Sequence, residues 1–119
     1  PMKPATNAQG SNFAVASGHP LATTTAIQLL ESGANLIDAA VAAALVLAVV
    51  MPHGCGLGGD AFLLIHDAGS GRTHALNGTG RAPRMATPDS LSGGIPRSGL
   101  RSATVPGLIA AGQAPQAGH

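Results

Sequence analysis

An unbroken apolar run of thirteen residues, positions 39–51, constrains this chain more than any other feature. Asn35 suits the N-cap of a helix, and Asp38 places a carboxylate in its first turn, so the run is predicted to form the body of a helix. With no polar face, such a helix is either buried on all sides or lies in a membrane. A bilayer requires about 20 apolar residues, so the sequence predicts burial, and its many alanines allow other elements to approach closely.

The composition provides too few charged side chains to coat an independent globule. Charged residues make up 9% of the chain, against about 25% in ordinary domains. Phe13 and Phe62 are the only aromatic residues, so Ala, Val, Leu and Ile must build any core, and they bury less area than rings do. We therefore expect one domain at most, as a piece of a larger assembly whose helices are covered by further sequence. The net charge of +1 argues against binding to nucleic acid or anionic membranes.

The single cysteine and the N-terminal residues say little about the cellular compartment. Cys55 has no partner within the chain, so no internal disulfide is expected. The first twelve residues contain no apolar stretch of the secretory kind, which leaves the compartment open and favours the cytoplasm slightly.

Local patterns predict a strand, a helix pair and a hairpin. Residues 12–17 alternate as a short strand. Pro20 suits position N1 of a helix through Ser32, with Gly33 at C′, and the next helix follows at once to give a tight antiparallel pair. The other predicted elements are a strand at 61–66 buried on both faces, a loop at 67–71, an antiparallel return strand at 72–77, a helical turn at 88–91, a linker at 92–102, and a helix from Pro106 to Pro115.

The glycine-rich segment GCGLGG, residues 54–59, matches the G-x-G-x-x-G pattern of dinucleotide-binding proteins. That fingerprint requires a strand before it, a helix after it and an acidic residue about 20 positions on. Here the predicted order is helix then strand, and residues 68–88 contain no acidic residue, so dinucleotide binding is excluded. We instead predict a sharp reversal with closely packed backbone, in which Gly56, Gly58 and Gly59 also shape a pocket floor.

A thiol nucleophile and a metal site are two further possibilities at the same segment. His53 and Cys55 suggest a thiol nucleophile, but no third group orients them, and an inert, buried thiol is favoured. Adding Asp60 and His66 gives four possible metal ligands, whose uneven spacing does not match a zinc site. Neither a metal nor a cofactor is predicted.

Five spaced motifs resemble the gamma-glutamyltranspeptidase family, at the start of its large-subunit region. In chain order they are HPLA at 19–22, GAN at 33–35 with DAAVA at 38–42, PH at 52–53 with GLGG at 56–59, GRAP at 80–83, and a weaker TVPG at 104–107. The resemblance implies an α+β fold, a partial N-terminal-nucleophile hydrolase (αββα) built from a helix pair and an antiparallel hairpin. It divides the chain into a disordered tail at 1–11, an incomplete N-terminal segment at 12–112 and an atypical tail at 113–119.

The resemblance makes Arg81 the substrate-binding candidate, because an arginine before an Ala-Pro pair binds the alpha-carboxylate of the glutamyl group in this family. A guanidinium matches a carboxylate bidentately. In the usual pattern that arginine lies four positions before the proline, where this chain has Thr79. The form GTGRAP is similar to a subgroup acting on other acyl groups, so the acyl group stays open, as does the alternative that Arg81 is a solvated loop residue.

The family's nucleophile, a threonine whose own alpha-amine acts as base, is expected far downstream of these residues. Neither Thr79 nor Thr104 lies in the family's threonine motif. The resemblance therefore implies part of an enzyme transferring acyl groups from a small-molecule amide to water or an amine, inactive without the remaining C-terminal part or small subunit. A truncated gene, a frameshift and a deliberate fragment all stay open. The alternative function is a non-catalytic helical module that binds a partner.

Overall fold

The computed structural model describes residues 11–113, which fall into two compact units, one up to Val50 and one from Met51 onward. The first contains helices α1 (Pro20–Glu31) and α2 (Leu36–Val50). The second contains strands β1 (Ala61–Asp67) and β2 (Arg72–Gly78), short 3-10 turns at Asp89–Leu91 and Leu100–Ser102, and helix α3 (Leu108–Gln113). The predicted α+β combination of a helix pair and an antiparallel hairpin is confirmed.

Helix α1 has the predicted ends. Pro20 occupies the first helical position, and the His19 ring caps the helix by accepting the Leu21 N–H through Nδ1 at 3.2 Å. At the other end Gly33 adopts a φ of +92°, and its N–H donates to the Leu30 carbonyl at 3.1 Å. A left-handed residue after the last turn is the conformation that favours glycine at C′.

Helix α2 begins with the predicted cap. The Asn35 Oδ1 accepts the Asp38 N–H at 2.8 Å, and the Asn35 side-chain amide donates to the Asp38 carboxylate at 2.9 Å. The two side chains thus satisfy a free amide of the first turn and hold each other in place. The helix ends at Val50, two residues before Pro52.

Alanines form the contact between the two helices. Ala22 and Ala26 of α1 are buried with Ala39 and Ala43 of α2, and larger aliphatic side chains surround them: Val15, Leu29, Leu30, Val46 and Leu47. Small side chains let the helix backbones approach closely, but they bury little apolar area.

The burial predicted for α2 on all sides is not reached within the described residues, and the covering by further sequence stays a prediction. Leu45 is 41% exposed and Val49 is 77% exposed. Of the helices within residues 11–113, none combines the length and apolar character needed to cross a bilayer.

The predicted strand at residues 12–17 is also wrong. This segment is irregular and belongs to no sheet within residues 11–113, although Val15 packs against the helix pair. A strand requires a neighbour to bond its backbone groups, and the described residues supply none here.

The hairpin has the predicted antiparallel register, from Ala61 opposite Gly78 to Asp67 opposite Arg72. The first strand was predicted to be covered on both faces, but within the described residues only one face is covered. Phe62 is 73% exposed and Leu64 is 76% exposed, while the alternate residues Leu63 and Ile65 are half-buried. Within the described chain, one face of the sheet is therefore open.

The C-terminal part follows the prediction less closely. The helical turn at Asp89–Leu91 is confirmed, and a second turn at Leu100–Ser102 lies inside the predicted linker. Helix α3 begins at Leu108 and not at Pro106, and the Gly107 carbonyl just before it accepts the Ala111 N–H at 2.9 Å. Pro115 and most of both predicted tails lie outside the described residues.

Candidate functional site

Three of the sequence motifs meet in the second unit. The Gly59 carbonyl, in the glycine-rich segment, accepts the N–H groups of Gly107 at 3.2 Å and Leu108 at 3.0 Å. The Arg81 carbonyl accepts the Val105 N–H at 3.0 Å. The glycine segment (54–59), the arginine loop (80–83) and the TVPG segment (104–107) are thus joined through their backbones, although they are far apart in sequence.

The Asp60 carboxylate links two of these segments directly. Its Oδ1 atom accepts the Gly80 N–H at 3.0 Å and the Thr104 hydroxyl at 3.0 Å. Hydrogen bonds to an ionised acceptor are stronger than neutral ones. We refer to these two bonds, together with the bond from the Val105 N–H to the Arg81 carbonyl, as the Asp60 clasp.

Close backbone approach requires glycine at two positions beside the clasp. A Cβ atom on Gly80 would collide with the Val105 carbonyl oxygen. A Cβ atom on Gly78 would collide with Ala111 and lie 2.7 Å from the Ala61 carbonyl oxygen. Any larger residue at these positions would push the segments apart.

The three glycines predicted to shape a pocket floor lie in a less crowded turn. The Gly59 N–H donates to the Gly56 carbonyl at 3.0 Å, and a Cβ atom on Gly59 would lie 3.3 Å from that oxygen. Gly56 and Gly58 have no neighbouring atom within 4 Å of such a Cβ. The helix-to-strand reversal is present, whereas the role in a pocket stays a prediction.

Arg81 combines a fixed backbone with an exposed side chain. The Asp60 clasp holds the N–H of Gly80, immediately before Arg81, and the carbonyl of Arg81 itself. Its side chain is exposed, and within residues 11–113 the guanidinium makes no hydrogen bond. A planar cation with five free donors can bind a carboxylate bidentately.

Thr79 and Thr104 have structural partners. The Thr79 hydroxyl donates to Asn77 Oδ1 at 2.6 Å, and the Thr79 N–H donates to the same oxygen at 3.0 Å. The Thr104 hydroxyl is held by Asp60. Neither threonine has a free alpha-amine, since both lie inside the chain.

The thiol and metal alternatives gain no support from the geometry. The half-buried Cys55 thiol donates to the Met51 carbonyl at 3.6 Å, and His66 Nδ1 is 2.9 Å from the Thr73 hydroxyl. His53 is exposed. Across residues 11–113, no three His, Cys, Asp or Glu side chains come together.

Sequence reasoning missed the structural role of Asp60, which it considered only as a metal ligand. Asp60 is the only acidic residue between positions 39 and 66, but its side chain is exposed, so burial does not require it to have protein partners. Its partners, 20 and 44 positions away, could not be identified from spacing.

Comparisons with known proteins identify one family model and several related proenzymes. Residues 22–115 match the family model described as gamma-glutamyltranspeptidase. The glutathione hydrolase-like YwrD proenzyme of Bacillus subtilis (strain 168) is 42% identical over 103 residues, covering 84% of this chain and 20% of that protein. The oxamate amidohydrolase proenzyme of Klebsiella pneumoniae is 41% identical over 106 residues, covering 87% of this chain and 20% of that protein.

A solved structure agrees with these relatives. The crystal structure of Helicobacter pylori gamma-glutamyltranspeptidase matches with a TM-score of 0.81 and 35% identity, over 91% of this chain and 33% of that one. The chain spans about a fifth of the length of the two curated relatives.

Proposed function

Because the chain belongs to the gamma-glutamyltranspeptidase family, we propose that it forms the N-terminal region of an acyl-transfer enzyme with the N-terminal-nucleophile hydrolase (αββα) architecture. The reaction moves an acyl group from a gamma-glutamyl or related small amide to water or an amine. The short coverage of the relatives and the open apolar faces support assembly with further polypeptide of the same enzyme.

The nucleophile of the proposed reaction is a threonine outside these residues. Its hydroxyl attacks the amide carbonyl while its own alpha-amine takes the proton and passes it to the leaving amine. The resulting acyl-threonine ester is then cleaved by water or a second amine. The 119 residues by themselves are therefore expected to be inactive.

Arg81 is proposed to bind the carboxylate of the acyl group. The observation that carries this assignment is the contrast between its clasped backbone and its exposed guanidinium, which makes no hydrogen bond within residues 11–113. A fixed backbone lowers the entropy lost when the long side chain engages a ligand. Gly56, Gly58 and Gly59 are proposed to form the adjoining pocket floor.

The acyl group is tested in a reconstituted enzyme. The chain is co-expressed with the part of the B. subtilis relative that lies C-terminal to the matched residues, and the complex is assayed with a gamma-glutamyl anilide and with oxamate. Arg81→Ala is expected to raise KM about tenfold or more for the carboxylate-bearing substrate, because the charge-assisted hydrogen bonds to its carboxylate are lost. Arg97→Ala, at another exposed arginine, is the matched control.

Equal KM values for the wild type and Arg81→Ala would contradict the assignment of Arg81. A stoichiometric complex that turns over no amide would instead support the alternative, a non-catalytic helical module. The exposed Leu45 and Val49 of α2 are the feature that favours that alternative.

A further inference from the structure

We propose that Asp60 is a positioning residue, which sets the affinity of Arg81 for its carboxylate ligand by fixing the backbone on both sides of Arg81. The inference rests on the proposed function, because it assumes that Arg81 binds the acyl carboxylate. It assigns a role to Asp60 and Thr104 through the hydrogen bonds that they make within the protein.

The geometry places one carboxylate oxygen at the junction of two loops. Asp60 Oδ1 holds the N–H of Gly80, the residue immediately before Arg81. The same oxygen holds the hydroxyl of Thr104, the residue immediately before Val105. Val105 in turn donates its N–H to the Arg81 carbonyl. The bonds therefore restrain the Arg81 backbone before and after its Cα atom.

Close backbone contact at Gly80 adds to this restraint. The Gly80 Cα lies so close to the Val105 carbonyl that no Cβ atom fits. The arginine loop is thus pressed against the TVPG segment, and Asp60 is the side chain that bonds to both. Losing its carboxylate would release the loop at the residue next to Arg81.

The charge of Asp60 is placed where it does not compete with a ligand. Its oxygen bonds to a backbone N–H and a hydroxyl, and within residues 11–113 Arg81 has no ion pair. A carboxylate bonded to the guanidinium would have to be displaced by an incoming anion. Here the backbone is held while the guanidinium keeps its full donor set for the ligand.

The kinetic signature of a positioning role is a change in KM limited to carboxylate-bearing substrates. In the reconstituted complex, Asp60→Ala is expected to raise KM for the gamma-glutamyl anilide about tenfold, with kcat changed less than twofold, because the loosened loop must be ordered again when the carboxylate binds. The matched 4-aminobutyryl anilide lacks only the alpha-carboxylate. Its kcat/KM is expected to be the same in the wild type and in Asp60→Ala.

The threonine variants test the same clasp without removing a charge. Thr104→Val removes the hydroxyl at nearly constant volume and is expected to raise KM for the gamma-glutamyl anilide severalfold, whereas Thr104→Ser restores the affinity. Asp89→Asn, at an exposed carboxylate outside the clasp, controls for the change of charge. Should Asp60→Ala fail to fold by circular dichroism, the two threonine variants decide.

The outcomes separate the two proposals. A wild-type complex that hydrolyses neither anilide overturns the proposed function and this inference with it. An active wild type in which Asp60→Ala or Thr104→Val leaves KM unchanged overturns the inference alone. An equal loss of kcat/KM on both anilides also overturns it, because general destabilisation does not distinguish substrates by their carboxylate.

Discussion

At residue 80 the structure leaves no room for a side chain, because the Val105 carbonyl occupies the place of a Cβ atom. Gly93, in contrast, has no neighbouring atom within 4 Å of such a position. Two glycines in the same unit therefore differ in what an added methyl group would meet. The difference lies in tertiary contact and not in backbone conformation, since neither is among the glycines with positive φ.

Gly80→Ala is expected to destabilise the chain by at least about 1–3 kcal/mol, the usual cost of overpacking, while Gly93→Ala changes the free energy of unfolding by less than about 0.5 kcal/mol. Urea unfolding followed by circular dichroism measures both. Hydrogen exchange at the Val105 amide should also become faster in Gly80→Ala. Equal stability of the two variants would show that the arginine loop and the TVPG segment are not in contact.

The Asp67 side chain stabilises the loop of the hairpin. The Ser70 hydroxyl, and then the N–H groups of Gly69 and Ser70, bond its carboxylate and lower the pKa of Asp67 below its ordinary value of 3.8. Because the folded-state pKa is lower than the unfolded one, the carboxylate contributes its full stabilisation above pH 3.8. That contribution is lost as the pH falls through the folded-state pKa.

An NMR titration of the Asp67 carboxyl carbon should therefore give a pKa below 3.8. Ser70→Ala removes the largest cause and should raise the pKa of Asp67 toward that value, whereas Ser92→Ala, outside the loop, should leave it unchanged. A pKa unaffected by Ser70→Ala would mean that the hairpin loop has a different hydrogen-bond arrangement.

At the scale of secondary-structure elements, local signals predicted the ends of the helices and the hairpin. Pro20, Gly33 and Asn35 act within a few residues of themselves, so their roles follow from sequence. The strand predicted at residues 12–17 failed because pairing depends on a neighbour that the local pattern cannot supply. The first N–H of α3, that of Leu108, likewise bonds to the Gly59 carbonyl about 50 positions earlier, a contact that no local pattern could predict.

The cap of α2 gives a test at this scale. Asn35→Ala should reduce the free energy of unfolding by about 1 kcal/mol, because a first-turn amide loses its acceptor. Asn12→Ala, at an exposed asparagine outside the helices, is the control and should have little effect. Chemical denaturation measures both, and an unchanged stability in Asn35→Ala would show that the helix does not start at this residue.

For the whole molecule, the low charge and the scarcity of rings predicted an element of something larger. The structure agrees in that apolar side chains of α2 and β1 are left exposed within the described residues. Composition could predict this because it limits how much surface can be made polar. It could not predict the Asp60 clasp, since nothing in a single sequence pairs Asp60 with Thr104 across 44 positions. Arg81 was proposed as a site residue from its motif, and the residues that hold its backbone were identified only in the structure.

One assay decides whether this chain is the N-terminal region of an acyl-transfer enzyme. It measures the rate of anilide release by this chain alone, by the C-terminal remainder of the B. subtilis relative alone, and by the two together. The proposed function predicts no release by this chain, and release by the complex above the sum of its separate parts. Turnover by the purified 119 residues, or a stable one-to-one complex without turnover of any amide, would contradict it.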